Sequence, residues 1–349
     1  MASLIPAHDA VAVVDQQGGH GPPRGDVAAP AVRQHDHRAV SGPADLDDQL
    51  GAVRRGDGVP LAVRHNKQLD RSPLAHPGEG ERLTVTTSDG AELVVEVCGP
   101  DDGRVVVLPH CWGGDIATWG PVTVRLVDDG HRVVRWYQRG HGPSTTGADG
   151  YAIERFGADL AEVLEALDVR DAVAAGHSLG GMTVQSFAVH HPEVLSERVR
   201  ALVLVATSSG ELSRGPLGGV APKVLAMRAT DAALAGRYGH LWVRGALGRD
   251  ASPSAVRATH EHFRAMPAEV RLGILTSMQV MDLTPHLPAV SVPTTVVVGS
   301  RDTITPVAHA RRIAAAIPDA ELVVLRTRGH MLPFEATAEV ADAIAAHHR

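Results

Sequence analysis

Ser178 stands in the run Gly176-His177-Ser178-Leu179-Gly180-Gly181, with a glycine two residues to either side. Apolar residues 172–175 directly before it read as a strand, and residues 182–190 directly after it as a helix. A serine on such a turn is thrust outward, and a side chain in place of either glycine would collide with the neighbouring strand and helix. The chemistry open to it is attack on a carbonyl carbon, but a serine hydroxyl is a poor nucleophile until a base takes its proton. The base in turn needs a third group to hold it in the right tautomer. Two residues stand where such partners are needed. Asp302 ends Gly299-Ser300-Arg301-Asp302, immediately after an apolar run at 294–298, and His330 follows Gly329 after the next run, at 322–325. The order is therefore serine, aspartate, histidine, each in a loop at the C-terminal end of its own strand.

Other residues compete for these roles. Asp282 lies before the strand at 294–298, on the wrong side for a carboxylate facing the serine. His190, His191, His347 and His348 fall near helix ends and are expected to be exposed. The charge that develops on a carbonyl oxygen during attack calls for backbone N–H donors. Leu179, after the serine, supplies one candidate from a helix N-terminus. Trp112, in the loop Pro109-His110-Cys111-Trp112-Gly113-Gly114 after the strand at 105–108, supplies the second.

The elements that must position these residues are legible as alternation. Residues 82–87 and 92–98 alternate around the turn signal Ser88-Asp89-Gly90, which predicts an antiparallel hairpin. Continuous apolar runs at 105–108, 133–136, 172–175, 201–206, 294–298 and 322–325 suit strands buried on both faces. Helical periodicity marks 156–167, 182–190, 308–315 and 340–346. The prediction is an α/β fold, a mostly parallel sheet with helices on both faces. Between about 210 and 290 the strands stop and helical stretches appear at 221–234 and 254–266, too long an insertion for a loop. It predicts a helical cap over the C-terminal edge of the sheet, where such sheets bind ligands, with Trp242 and Phe263 among the apolar residues that could line a pocket.

Residues 1–80 differ, being rich in Gly, Pro, Asp, Arg and His without a sustained period, and read as a disordered extension to a domain over 81–349. His35 and His37 within it are two potential ligands where a metal site needs three or four, so no metal is expected.

Composition narrows the function classes. A net charge of -7 with scattered arginines argues against a nucleic-acid partner. Two cysteines, Cys98 and Cys111, are too few for a disulfide scaffold, although one bridge is open. No apolar run approaches the ~20 residues of a membrane span. Asp9 and Asp15 stand where a signal peptide would be apolar or small, so a cytoplasmic protein acting on a small molecule is expected.

The residues from about 83 to 347 resemble the α/β-hydrolase superfamily. The marks of the resemblance are His110-Cys111-Trp112, the run from Arg139 through Gly140-His141-Gly142 to Ser144, the turn at Ser178, Gly299 to Asp302, and Gly329-His330, all in order. Within the superfamily the chain looks like the small, capped bacterial esterase and peroxidase-like branch. That resemblance implies a serine hydrolase with Ser178 as nucleophile, His330 as general base, Asp302 as its orienting carboxylate, and no cofactor. Lactone, thioester or carbon–carbon bond cleavage and perhydrolysis use the same machinery. A non-hydrolytic ligand receptor is the alternative of another class. Two positions depart from the family pattern: Cys111 replaces the usual glycine, putting a thiol near the site, and Tyr137 stands where many relatives have aspartate.

Overall fold

Neighbouring valines in the central strands bury on opposite sides of one sheet. Val106 joins a cluster with Leu126, Val173 and Val340, while Val107 joins another with Leu160, Phe187 and Val296. Both faces of these strands are therefore core, which is why they read as continuous apolar runs. The computed structural model describes residues 11–14, 62–65, 80–212, 228–235, 239–249 and 251–349.

Ten strands form the sheet: β1 (Val11–Val14), β2 (Ala62–His65), β3 (Glu81–Thr86), β4 (Glu92–Cys98), β5 (Arg104–Pro109), β6 (His131–Trp136), β7 (Ala172–His177), β8 (Val199–Val205), β9 (Thr294–Gly299) and β10 (Glu321–Leu325). Their order is β1-β10-β9-β8-β7-β5-β6-β4-β3-β2. The pairs from β1 to β6 along this order are parallel, and β4, β3 and β2 join antiparallel. The predicted hairpin is the β3–β4 pair. Strands β1 and β2 lie within the segment read from sequence as an extension, and each pairs over four residues with one edge of the sheet.

Helices α1 (Gly120–Asp128), α2 (Ile153–Ala166), α3 (Leu179–His190) and α4 (Pro192–Arg198) connect the first parallel strands. After β5 the chain moves to β6 on one side, and after β7 to β8 on the other. A crevice opens outside the strand ends where the direction reverses, the usual ligand position in such sheets. The loops after β5 and β7 carry Trp112 and Ser178 into it.

Between β8 and β9 the insertion contains α5 (Arg228–Ala235), α6 (His240–Arg244), α7 (Pro253–Ala265) and α8 (Ala268–Val280). It leaves and rejoins the sheet at one point, where Leu283 N–H donates to the Ser209 carbonyl at 2.7 Å. Val270, Ile274 and Met278 of α8 pack on Leu179 and Met182 of α3, so the insertion covers the serine turn as a helical cap. Part of the predicted stretch at 221–234 lies outside the described residues, as does the Trp242 side chain. The chain closes with α9 (Val307–Ala316), α10 (Leu332–Glu335) and α11 (Thr337–Ala346).

Candidate active site

Ser178 links β7 to α3 with φ of 54°, a left-handed conformation that a residue with a side chain adopts only when its surroundings impose it. Its N–H donates to the Val205 carbonyl at 2.9 Å, and its own carbonyl accepts from the Thr207 hydroxyl at 2.7 Å, so the end of β8 and the residues just after it hold the turn from both directions. The flanking glycines are required by close approach. A Cβ on Gly176 would lie 2.2 Å from the Gly180 carbonyl oxygen, and one on Gly180 only 2.0 Å from the Pro109 carbonyl oxygen.

Asp302, His330 and Ser178 come together, as their order and strand positions predict. His330 Nδ1 lies 2.8 Å from Asp302 Oδ2, and its Nε2 lies 3.0 Å from Ser178 Oγ. A carboxylate only accepts, so Nδ1 carries the proton of the neutral ring and Nε2 faces the hydroxyl with a free lone pair. An imidazole so placed can withdraw the serine proton and hold the resulting charge beside the carboxylate. Asp302 Oδ1 accepts the backbone N–H groups of Ile304 and Thr305, each at 2.8 Å, while Oδ2 also accepts the Thr305 hydroxyl at 2.9 Å. Burial alone would raise the Asp302 pKa, but His330 and the Thr305 hydrogen bonds outweigh it and hold the carboxyl below its ordinary value.

Thr305 was not predicted by sequence reasoning. The signal was available, because an aspartate whose side chain caps the amides two and three residues on is a common turn pattern, and a threonine there can add its hydroxyl. Asp282 caps Thr284 in the base of the cap and takes no part in the cluster.

The serine opens into a cavity of about 240 Å³ lined on the cap side by Leu234, Val243, Phe263 and Met278, and on the sheet side by Trp112, Met182 and Met331. Trp112 meets Phe263 edge to face at 5.1 Å between ring centroids. Leu179 is the first residue of α3, and N–H groups in a first helical turn have no partner within the helix. The loop bearing Trp112 is fixed from below: Gln138 N–H donates to His110 Nε2 at 3.0 Å, leaving His110 Nδ1 to donate to the Cys111 carbonyl at 2.8 Å. Burial drives the His110 pKa well below the ordinary histidine value, so the ring is a neutral strut.

The two departures from the family pattern are both buried. Cys111 lines the cavity with its thiol pushed up by burial to about 12, and it and Cys98 are free thiols. Tyr137 packs with Val94 and Ile116. The expectation that the histidines near helix ends are exposed holds for His190 alone: His191 and His347 are half-buried, and His348 is buried, its ring centroid 5.2 Å from that of His131 and its carbonyl accepting from Arg104. His35 and His37 lie outside the described residues. Among the described residues no helix is long and apolar enough to cross a membrane.

Known proteins resemble this chain in sequence and in fold. The non-heme chloroperoxidase of Burkholderia pyrrocinia is 29% identical over 234 residues, covering 65% of this chain and 84% of the relative. The 3-oxoadipate enol-lactonase 2 of Acinetobacter baylyi is 25% identical over 242 residues, covering 69% of this chain and 87% of the relative. The crystal structure of a hydrolase from Pseudomonas aeruginosa superposes with a TM-score of 0.61 at 27% identity, covering 78% of this chain and 99% of that one. A family model described as alpha/beta hydrolase fold matches residues 104–337, well over half of the sequence, and the chain belongs to that family.

Proposed function

We propose that this protein is a serine hydrolase that cleaves a small, apolar, ester-like substrate through an acyl-enzyme. The observation that carries the reading is the unbroken hydrogen-bonded path from Asp302 through His330 to Ser178 at 2.8 and 3.0 Å, opening into an apolar cavity. Ser178 Oγ attacks the carbonyl carbon while His330 Nε2 takes its proton. The negative oxygen of the tetrahedral intermediate is held by the N–H groups of Leu179 and Trp112. His330 returns the proton to the leaving alkoxide, and the C–O bond breaks to leave an acyl group on Ser178. Water repeats the sequence, giving the free acid and the restored serine. Asp302 stabilises the imidazolium in both halves, and the cycle needs no metal or organic cofactor. The aliphatic and aromatic walls favour an uncharged acyl or alcohol group, because a charge there would lose its hydration without compensation.

The kinship with chloroperoxidases favours a second reading at the same site. Hydrogen peroxide in place of water would take the acyl group from Ser178 and leave as a peroxy acid. The test is a panel of p-nitrophenyl and alkyl esters of varied acyl length, run with and without peroxide on wild type, Ser178→Ala, His330→Ala and Asp302→Asn. Asp302→Asn should lose about 10⁴-fold in kcat, the size of the tautomer effect in trypsin-type triads, and double variants should be little worse than the worst single one. A fluorophosphonate should label Ser178 alone. Undiminished turnover in Ser178→Ala, or label on another residue, removes this reading, and a wild type that neither turns over any ester nor takes label favours a non-hydrolytic ligand receptor.

A further inference from the structure

Both loops that bring partners to Ser178 are fastened to the same short piece of the cap. Residues 245–248 follow α6, and Ala246 lines the cavity beside His330 and Met331. The His330 N–H donates to the Ala246 carbonyl at 2.7 Å, and the Thr303 hydroxyl, next to Asp302, donates to the Gly245 carbonyl at 2.9 Å. Glu335 completes the connection from below. One carboxyl oxygen accepts the Met331 N–H at 3.0 Å, and the other accepts both Gly329 N–H at 2.9 Å and Gly248 N–H at 2.7 Å. The two backbones abut so closely that a Cβ on Gly329 would lie 2.3 Å from the Gly248 nitrogen.

We infer that Glu335 is a positioning residue that ties the cap to the histidine loop, so that His330 is aligned over Ser178 only while cap residues 245–248 are seated. The inference rests on the assignment of His330 as the base for Ser178. Three backbone N–H groups can only donate, so both Glu335 oxygens must accept, and the residue acts by fixing amides on either side of His330 and in the cap at once. A wall of the substrate cavity is thereby joined to the residue that carries the imidazole through one hydrogen bond, from the backbone N–H of His330 to the Ala246 carbonyl. A glutamine has one acceptor oxygen, and its NH2 group would face at least one of the three N–H donors.

The test uses the full-length protein, with sites counted by the end point of fluorophosphonate labelling and kcat expressed per labelled site. Glu335→Gln should lower kcat per site and the rate of Ser178 labelling together by about 10- to 100-fold, the cost of slight misplacement of a catalytic group, with KM for a small apolar ester changed little. Arg328→Ala, in the same loop as His330, removes a half-buried side-chain contact to Glu339 of α11 and should leave both rates unchanged. A purely structural role would lower the melting temperature and the number of labelled sites while kcat per site stayed within about twofold of wild type. That outcome in Glu335→Gln overturns the inference, and so does a loss of equal size in Arg328→Ala. If wild-type Ser178 takes no label, the hydrolase reading falls and this inference with it. Should Glu335→Gln fold poorly, Thr303→Val loosens the cap at its other attachment and should lower kcat per labelled site in the same direction; no change there counts against the coupling.

Discussion

The imidazole Nε2 of His177 lies 2.8 Å from the backbone carbonyl oxygen of His330. The residue preceding the serine therefore supports, across the sheet end, the residue facing that serine. A carbonyl only accepts, so Nε2 of His177 carries the proton. Burial, reinforced by the neighbouring His330, pushes the His177 pKa down to about 3 and keeps the ring neutral.

This neutrality predicts how stability depends on pH. Burial likewise lowers His141 to about 4 and drives His110 well down, whereas all three take up protons near pH 6.5 in the unfolded chain. Below that pH the unfolded state binds more protons than the native state, so the contribution is complete above pH ~6.5 and is lost as pH falls toward the native values. Each group can contribute a slope of up to about 1.4 kcal/mol per pH unit in that window. Urea unfolding between pH 7.5 and 5.5, above the carboxylate range, should show stability falling as pH falls. His177→Gln, which keeps a donor for the His330 carbonyl, should make the fall less steep by up to one proton. A stability constant across this range would show that these rings accept protons in the folded state.

The sequence exposes the triad because each member follows a strand, and strands buried on both faces announce themselves as apolar runs. Asp302 has two sets of contacts, since one oxygen caps the turn and the other meets His330. The supports of the site were less legible. His177 with His330, Gln138 with His110, and Glu335 with Gly248 are contacts in which one partner is a backbone group, and a backbone group leaves no mark in residue type. Helix α8 was not singled out because apolar residues occupy both its inner and outer sides: Ile274 and Met278 are buried, while Leu272 and Val280 are exposed.

Arg139 shows what the family's Arg-Gly-His-Gly run does here. It is wholly buried, with Nε and Nη2 each 2.7 Å from the two oxygens of Asp159, and Nη1 3.0 Å from Asp89. His141, two residues on, accepts the Gly113 N–H of the Trp112 loop at 3.3 Å, so the ion cluster anchors a support of the candidate site. Arg139→Met should cost about 3–5 kcal/mol in urea unfolding, because it strands buried carboxylates without their main partner. Arg139→Lys should recover little, since an ammonium cannot meet a carboxylate through two parallel donors. A loss below about 1 kcal/mol in Arg139→Met would mean that Arg155, 3.3 Å from Asp159, satisfies the cluster alone.

The last prediction concerns the segment before Gly80. Its described strands β1 and β2 extend the sheet by four residues at each edge, and among the residues whose burial is described the two main core clusters run from Leu83 to Ile344. We therefore expect a chain lacking residues 1–78 to fold and to keep its Ser178 labelling, because the Gly-, Pro- and charge-rich sequence before Gly80, without a sustained period, offers little apolar surface to bury. The cost would appear at the edges, where removing β2 uncovers β3 and removing β1 uncovers β10, leaving backbone groups open to another chain. Two deletions separate these effects: one removing residues 1–58, which keeps β2, and one removing 1–78, which does not. Both should melt cooperatively, and any self-association specific to the longer deletion would trace to the uncovered edge of β3. If the shorter deletion already abolishes cooperative melting, β1 or its surroundings belong to the folding unit, and the domain begins well before residue 81.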